Sequence, residues 1–253
     1  MTQPTAAMLV IGDEILSGRT REGNGHHLAG VLTEIGIRLI EVRVVPDIAD
    51  EIVAAVQALS AKADHVFTSG GIGPTHDDIT AECVAAAFDT PISVRDDARE
   101  ILARHYAETG RELNEARLRM ARIPDGAELI LNPVSAAPGF RIGNVHVMAG
   151  VPSVFQAMVQ QIRPSLKGGA KVLSWSLRCE IGEGDLAGPL GEVQGMFPDV
   201  SMGSYPFVTS SSIGSVLVLR HADRGLLQDA AQALRNILAP MGGVASEVLP
   251  EDA

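Results

Sequence analysis

The chain has 253 residues, 46% of them hydrophobic but only 4% aromatic, so it can bury a sizeable core that must be largely aliphatic. A formal net charge of −11 repels a phosphate polymer at long range and argues against nucleic-acid binding, while leaving room for a small anion held by backbone N–H groups. No apolar run reaches membrane-spanning length, and no basic stretch followed by a long apolar run opens the chain, so a cytoplasmic protein without membrane partners is expected.

Residues 6–11 form a short apolar run ending in Gly12-Asp13, which reads as a buried strand followed by a loop. From Asn24 onward, Leu28, Val31, Leu32 and Ile35 recur at helical spacing, with Asn24 as a candidate N-cap and Gly36 as a stop. Residues 37–45 read as a second strand, ended by Pro46-Asp47. Residues 50–62 read as a helix with Ile52, Val56 and Leu59 on one face. A third strand, residues 65–69, runs into Ser69-Gly70-Gly71-Ile72-Gly73-Pro74-Thr75, and a third helix is predicted from near Asp78 past Cys83 and Phe88. This β-α-β-α-β-α order predicts an α/β fold, a mainly parallel sheet covered on both faces with binding at the carboxyl ends of its strands. Three notable loops fall there: Gly12-Asp13-Glu14, Pro46-Asp47 and the glycine loop.

Further along, residues 96–109 and 114–122 read as helices, and 139–149 as a hairpin around Gly143-Asn144. Residues 151–162 read as an amphipathic helix with Phe155, Met158 and Ile162 in line. Pro, Lys and Gly-Gly between 163 and 170 mark a boundary, giving domains over residues 1–166 and 170–253. In the second, strands over 172–181, 200–205 and 212–219 and helices over 185–196 and 225–238 predict a small α+β unit, with two helices on one sheet face.

The glycine loop carries the strongest chemical signal. Glycines between a strand and a helix let backbone N–H groups approach and cradle a phosphate, Pro74 stiffens the turn, and Thr75 offers a hydroxyl. No Lys follows the glycines, so it is not a Walker loop, and the G-x-G-x-x-G spacing of dinucleotide sites is missing. Asp77 and Asp78 follow at once. One carboxylate there serves as a helix cap; two beside a phosphate call for a divalent cation, with Asp47 placed to complete the site. Asp13 and Glu14 are placed to contact ligand hydroxyls or ring nitrogens. His76 reads as a solvent-facing loop residue or a general acid/base, His26 and His27 as surface, and His146 as packing. Arg111, Arg117, Arg119 and Arg122 read as a solvated helix face or a basic patch. Cys83 and Cys179, in no metal-ligand spacing, read as free buried thiols.

Gly12-Asp13-Glu14-Ile15-Leu16, Asn24 opening a helix, and the Gly-Gly-Ile-Gly-Pro-Thr-x-Asp-Asp-Ile-Thr run together resemble the molybdopterin-binding domain family (MoaB/MogA-like). Asn132-Pro133, Ala137-Pro138-Gly139-Phe140 and Gly150-Val151-Pro152 continue the likeness in order, which is strongest to the amino-terminal part of the competence/damage-inducible protein CinA. Gly203-Ser204-Tyr205-Pro206 is similar to CinA's middle region, and no counterpart of its carboxyl-terminal deamidase domain is expected.

The resemblance implies a three-layer α/β fold and a ligand site of Gly12, Asp13, Glu14, Asn24, Ser69, Gly70, Gly71, Gly73, Pro74, Thr75, Asn132, Pro138, Gly139, Gly150 and Pro152. It implies functional aspartates at Asp47 and Asp78, with Asp47, Asp77 and Asp78 holding Mg, Mn or Co. The implied activity is divalent-metal-dependent hydrolysis of ADP-ribose or a related nucleotide diphosphate. The alternatives are molybdopterin binding or adenylyl transfer, and non-catalytic ligand binding or scaffolding. The implied partner is a phosphate-bearing small molecule, and the implied assembly a homo-oligomer, with a dimer favoured. Glu22-Gly23, Ser135-Ala136, Ala149 and Val154 depart from the family pattern at positions expected near the pocket.

Overall fold

The structure is a computed structural model that describes residues 3–209, 212–242 and 246–248. The chain divides into two compact units, Met1–Gly169 and Ala170–Ala253. The first contains β1 (Thr5–Ile11), α1 (Asp13–Leu16), α2 (Asn24–Glu34), β2 (Arg38–Val45), α3 (Ala49–Lys62), β3 (His65–Ser69), α4 (Thr80–Ala87), β4 (Ile92–Val94) and α5 (Asp96–Glu108). It continues with α6 (Glu115–Leu118), β5 (Arg122–Pro124), β6 (Glu128–Ile130), β7 (Gly139–Ile142), β8 (Val145–Met148) and α7 (Pro152–Ile162).

Six strands form the main sheet in the order β2-β1-β3-β8-β7-β6. Pairing is parallel from β2 to β8 and antiparallel for β8 with β7 and β7 with β6. The mainly parallel α/β architecture expected from the element order is the one seen. Because side chains alternate across a strand, β1 feeds two cores. Ala7, Leu9 and Ile11 join one with α3, α4 and α5; Ala6, Met8 and Val10 join the other with α2 and α7. Phe67, Phe140 and Phe155 are almost fully buried, and truncating any of them to Ala costs about 3–5 kcal/mol. Gly36, at φ +73°, turns the chain out of α2, and the Ile37 N–H donates to the Leu32 carbonyl at 2.9 Å.

Four expectations need correction. The helix placed near Asp78 starts at Thr80, because residues 75–78 close a turn first, Asp78 N–H donating to the Thr75 carbonyl. The helix placed over 114–122 is one turn, α6, capped by Asn114, then a 3₁₀ turn over Arg119–Ala121 before the chain enters β5. The three-residue strands β4, β5 and β6 and the single turn α1 are additional. Asn24 does not cap α2: Gly23 precedes the helix, and Glu22 Oε1 accepts from the Gly25 N–H instead.

The second unit runs β9 (Leu173–Cys179), α8 (Glu183–Met196), β10 (Ser201–Val208), β11 (Ile213–His221), α9 (Arg224–Leu238) and β12 (Ser246–Val248). Its antiparallel sheet has the order β10-β11-β9-β12, and α8 and α9 share one core with the strands. β12 is the strand that residue patterning did not anticipate. Among the described residues no helix is long and apolar enough to cross a membrane.

Candidate functional site

The carboxyl ends of β2, β1, β3 and β8 lie side by side, which brings Asp47, Gly12-Asp13-Glu14, Gly70-Gly71 and Gly150 into one row. The glycine loop opens with two left-handed residues, Gly70 at φ +112° and Gly71 at φ +66°. A Cβ on Gly70 would overlap the Ile11 carbonyl oxygen, and one on Gly71 would overlap the Thr80 hydroxyl. Both glycines are therefore required by close backbone approach. The buried Thr80 locks the loop, its hydroxyl donating to the Gly70 carbonyl and its N–H to the Gly71 carbonyl, each at 3.0 Å. Gly150 completes the cradle wall, since a Cβ on it would lie 3.2 Å from Gly70 Cα.

Asp78 is not a helix cap. Its carboxylate accepts from the Thr75 N–H at 2.8 Å and the Thr75 hydroxyl at 2.5 Å, and it sits where a Cβ on Gly73 would meet it at 2.6 Å. Asp78 thus shapes the exposed Pro74-Thr75 end of the loop. Asp47 accepts from the Asp13 N–H at 3.0 Å. Burial, and then the charges of Asp13, Glu14 and Asp77, hold its carboxyl above the usual aspartate range. The acidic neighbourhood of Asp47 is therefore Asp13, Glu14 and Asp77 rather than Asp78. Among the described residues, no three or more His, Cys, Asp or Glu side chains are arranged to hold a metal ion. Asp47, Asp77 and Asp78 accordingly do not form a ready-made cation site, and ligand oxygens would have to complete one.

Two small cavities adjoin the loop. One, of about 20 Å³, is lined by Gly71, Gly73, Asp78, Pro138, Arg119 and Arg122 among others. Arg119 reaches the Asp78 carbonyl through Nη2 at 3.3 Å, its Nε is buried without a partner, and Arg122 pairs with Glu82. From the sequence these two arginines read as a solvated helix face or a basic patch; the 3₁₀ turn holding Arg119 and the start of β5 holding Arg122 bring both to the cavity beside the glycine loop. Arg117 instead stacks over Tyr106, so the four arginines do not form one patch. The other cavity, of about 50 Å³, is lined by Glu14, Glu22, Asn24, Ser69, Gly150 and Pro152 with their neighbours. The buried Asn24 donates from Nδ2 to Ser69 Oγ and to the Gly150 carbonyl, both at 2.8 Å, tying α2, β3 and the start of α7 together.

Other expected site residues serve the scaffold. Asn132 spends its amide on its own loop, donating to Ser135 Oγ and the Ala137 carbonyl and accepting from the Val134 and Ser135 N–H groups. Gly139 lies in β7, where a Cβ would overlap the Val147 carbonyl oxygen of β8. Val154, expected near the pocket, is buried in the core shared by α2 and α7. His76 faces solvent, and His146 packs on Phe67 with ring centroids 4.9 Å apart. Cys83 and Cys179 are free and buried.

Comparison with known proteins adds to this geometry. Residues 7–168 match the family described as "Probable molybdopterin binding domain", and residues 171–247 match "FAD synthase, middle domain". A protein of Aeropyrum pernix is 37% identical over 224 residues, covering 85% of this chain and 83% of its own length. The "Probable FAD synthase" of Caenorhabditis elegans is 32% identical over 260 residues, covering 93% of this chain, which spans 50% of that protein's length. The crystal structure of CinA from Thermoplasma acidophilum, described as a protein of unknown function, is 34% identical with a TM-score of 0.59, and the match covers 64% of this chain and 98% of that one. With its glycine loop at the carboxyl edge of a mainly parallel sheet, and with residues 171–247 similar to a FAD synthase middle domain, the chain belongs to the molybdopterin-binding domain family.

Proposed function

We propose that the glycine loop binds the phosphate of a nucleotide diphosphate and that the chain hydrolyses it, ADP-ribose being the type substrate, with a divalent cation. The carrying observation is the surroundings of the loop. The left-handed Gly71 lines a cavity with Arg119 and Arg122, and Asp47, at the neighbouring strand end, feels the charges of Asp13, Glu14 and Asp77. Turned backbone N–H groups and guanidinium suit a phosphate; neighbouring carboxylates, completed by phosphate oxygens, suit a cation. Asp47 and Asp77, with Asp13 and Glu14 beside them, are the donors that would hold Mg, Mn or Co. Such an ion supplies charge neutralisation on the phosphate and activation of water. The chain's own residues do the rest. The loop orients the phosphate, Arg119 offsets its charge beside the Arg122–Glu82 pair, and Asp78 keeps Thr75 and the end of the loop in place.

Release of AMP from ADP-ribose with Mg²⁺ or Co²⁺ tests this, with Asp47→Asn and Asp78→Ala alongside. The same assay on FAD, the product named in the C. elegans relative's description, defines the leaving half of the substrate. AMP from the wild type and none from Asp47→Asn supports hydrolysis; no AMP from any folded protein rejects it. A second reading, molybdopterin binding, is favoured by the family description of residues 7–168. It predicts pterin binding without AMP release.

A further inference from the structure

Between β9 and α9 of the second unit lies a cavity of about 520 Å³, within the roughly 300–1,000 Å³ range of small-molecule sites. One stripe of α9 lines it at spacings of three and four, and Trp175 and Ser174 of β9 face that stripe. Leu227 and Ala231 are buried and form an apolar floor. Around the floor stand Arg224, Gln228, Gln232 and Arg235, and none of the described lining residues is acidic, although the chain carries 31 Asp and Glu against 20 Lys and Arg. The Arg235 guanidinium lies over the face of the Trp175 ring, 5.0 Å from its centroid, so the planar cation on the indole offers a stacking surface to a flat ring. Gln232 Nε2 donates to Asn236 Oδ1 at 2.9 Å, and the exposed Gln228 amide can both donate and accept, as the edge of a heteroaromatic ring requires.

This combination selects a ligand with a flat heteroaromatic ring and one compact anionic group. We propose that the cavity binds a nucleoside or flavin monophosphate, its ring against the Trp175–Arg235 surface and its phosphate at Arg224. The site is built wholly from residues of the second unit and does not depend on the reading of the glycine loop.

Trp175 is the one tryptophan of the chain, so its emission reports on this cavity. The experiment titrates the full chain with AMP and with FMN, and in parallel with adenosine, riboflavin and inorganic phosphate. FMN and riboflavin are followed also by their own emission. A saturable response to AMP or FMN is expected, at least about tenfold tighter than to the matching unphosphorylated compound. Whichever monophosphate binds identifies the ring. Arg224 is exposed, so Arg224→Gln keeps the fold while weakening the monophosphate about tenfold and leaving the unphosphorylated compound unchanged. Asp47→Asn, in the first unit, leaves the response intact. The proposal is overturned by no response to either monophosphate, by equal affinity with and without the phosphate, by inorganic phosphate binding as tightly as AMP, by an indifferent Arg224→Gln, or by loss of the response in Asp47→Asn.

Discussion

Substituting Gly71 by Ala probes how tightly the loop is built. Gly71 sits at φ +66°, and an added Cβ would overlap the Thr80 hydroxyl and lie 3.2 Å from Thr80 Cβ. Two costs follow. A left-handed backbone at a residue with a side chain costs about 1–2 kcal/mol. Thr80 must also retreat, and its hydroxyl then no longer donates to the Gly70 carbonyl in a fully buried setting, which costs about 1–3 kcal/mol more. The total, about 2–5 kcal/mol, is a large part of a typical stability of about 5–15 kcal/mol. Gly126 separates the two costs: its φ is +75°, but nothing lies within 4 Å of an added Cβ. Urea denaturation of the wild type, Gly71→Ala, Gly126→Ala, Thr80→Ala and the Gly71→Ala/Thr80→Ala double variant is the assay. Gly71→Ala should lose at least about 1 kcal/mol more than Gly126→Ala, and the double variant should lose less than the sum of its parts, because Thr80→Ala removes the overlapping atom. Equal losses at the two glycines, together with strict additivity, would refute the reasoning.

The raised Asp47 carboxyl gives a signed pH prediction. Its neutral form is favoured in the folded state, so its contribution to stability is fully present below the ordinary value of 3.8 and lost as pH rises through the folded value. Asp47→Asn should therefore hold or raise the melting temperature at pH 7, with the gain vanishing near pH 3, while abolishing AMP release; a melting temperature lowered at pH 7 contradicts this. His146 is buried, its Nδ1 lacks a partner, and burial pushes its pKa down to about 3. Stability should be full above 6.5 and fall by up to about 1.4 kcal/mol per unit as pH drops toward 3, since only the unfolded state takes up the proton. His146→Phe should reduce that slope by one proton in urea titrations from pH 7 to 4, and an unchanged slope would count against it. Burial also pushes the Cys83 thiol up to about 11, so iodoacetamide at neutral pH should label Cys83 only after unfolding, as read by peptide mass spectrometry.

The residues by themselves specify the frame of the first unit. Strand β1 is a run of buried apolar side chains, Val66 and Phe67 give β3 its apolar centre, α2 and α3 carry apolar residues at helical spacing, and Gly36 reads as a stop. These signals are local, because burial on both faces and on one face leaves different periodicities in the chain. The motifs named the family in the same way. The short strands β4, β5 and β6 left no such mark: three residues contain no period, and each exists through its partner, Ile92 opposite Pro124 or Leu129 opposite Phe140. Around the loop, the carboxylates were legible but their company was not. Asp78 turns back to Thr75, Asp47 sits among Asp13, Glu14 and Asp77, and Arg119 and Arg122 arrive from 40 residues further along the chain. Electrostatic neighbours are set by which strand ends lie adjacent, and that is decided by the β2-β1-β3-β8 pairing, a long-range arrangement no window of sequence contains.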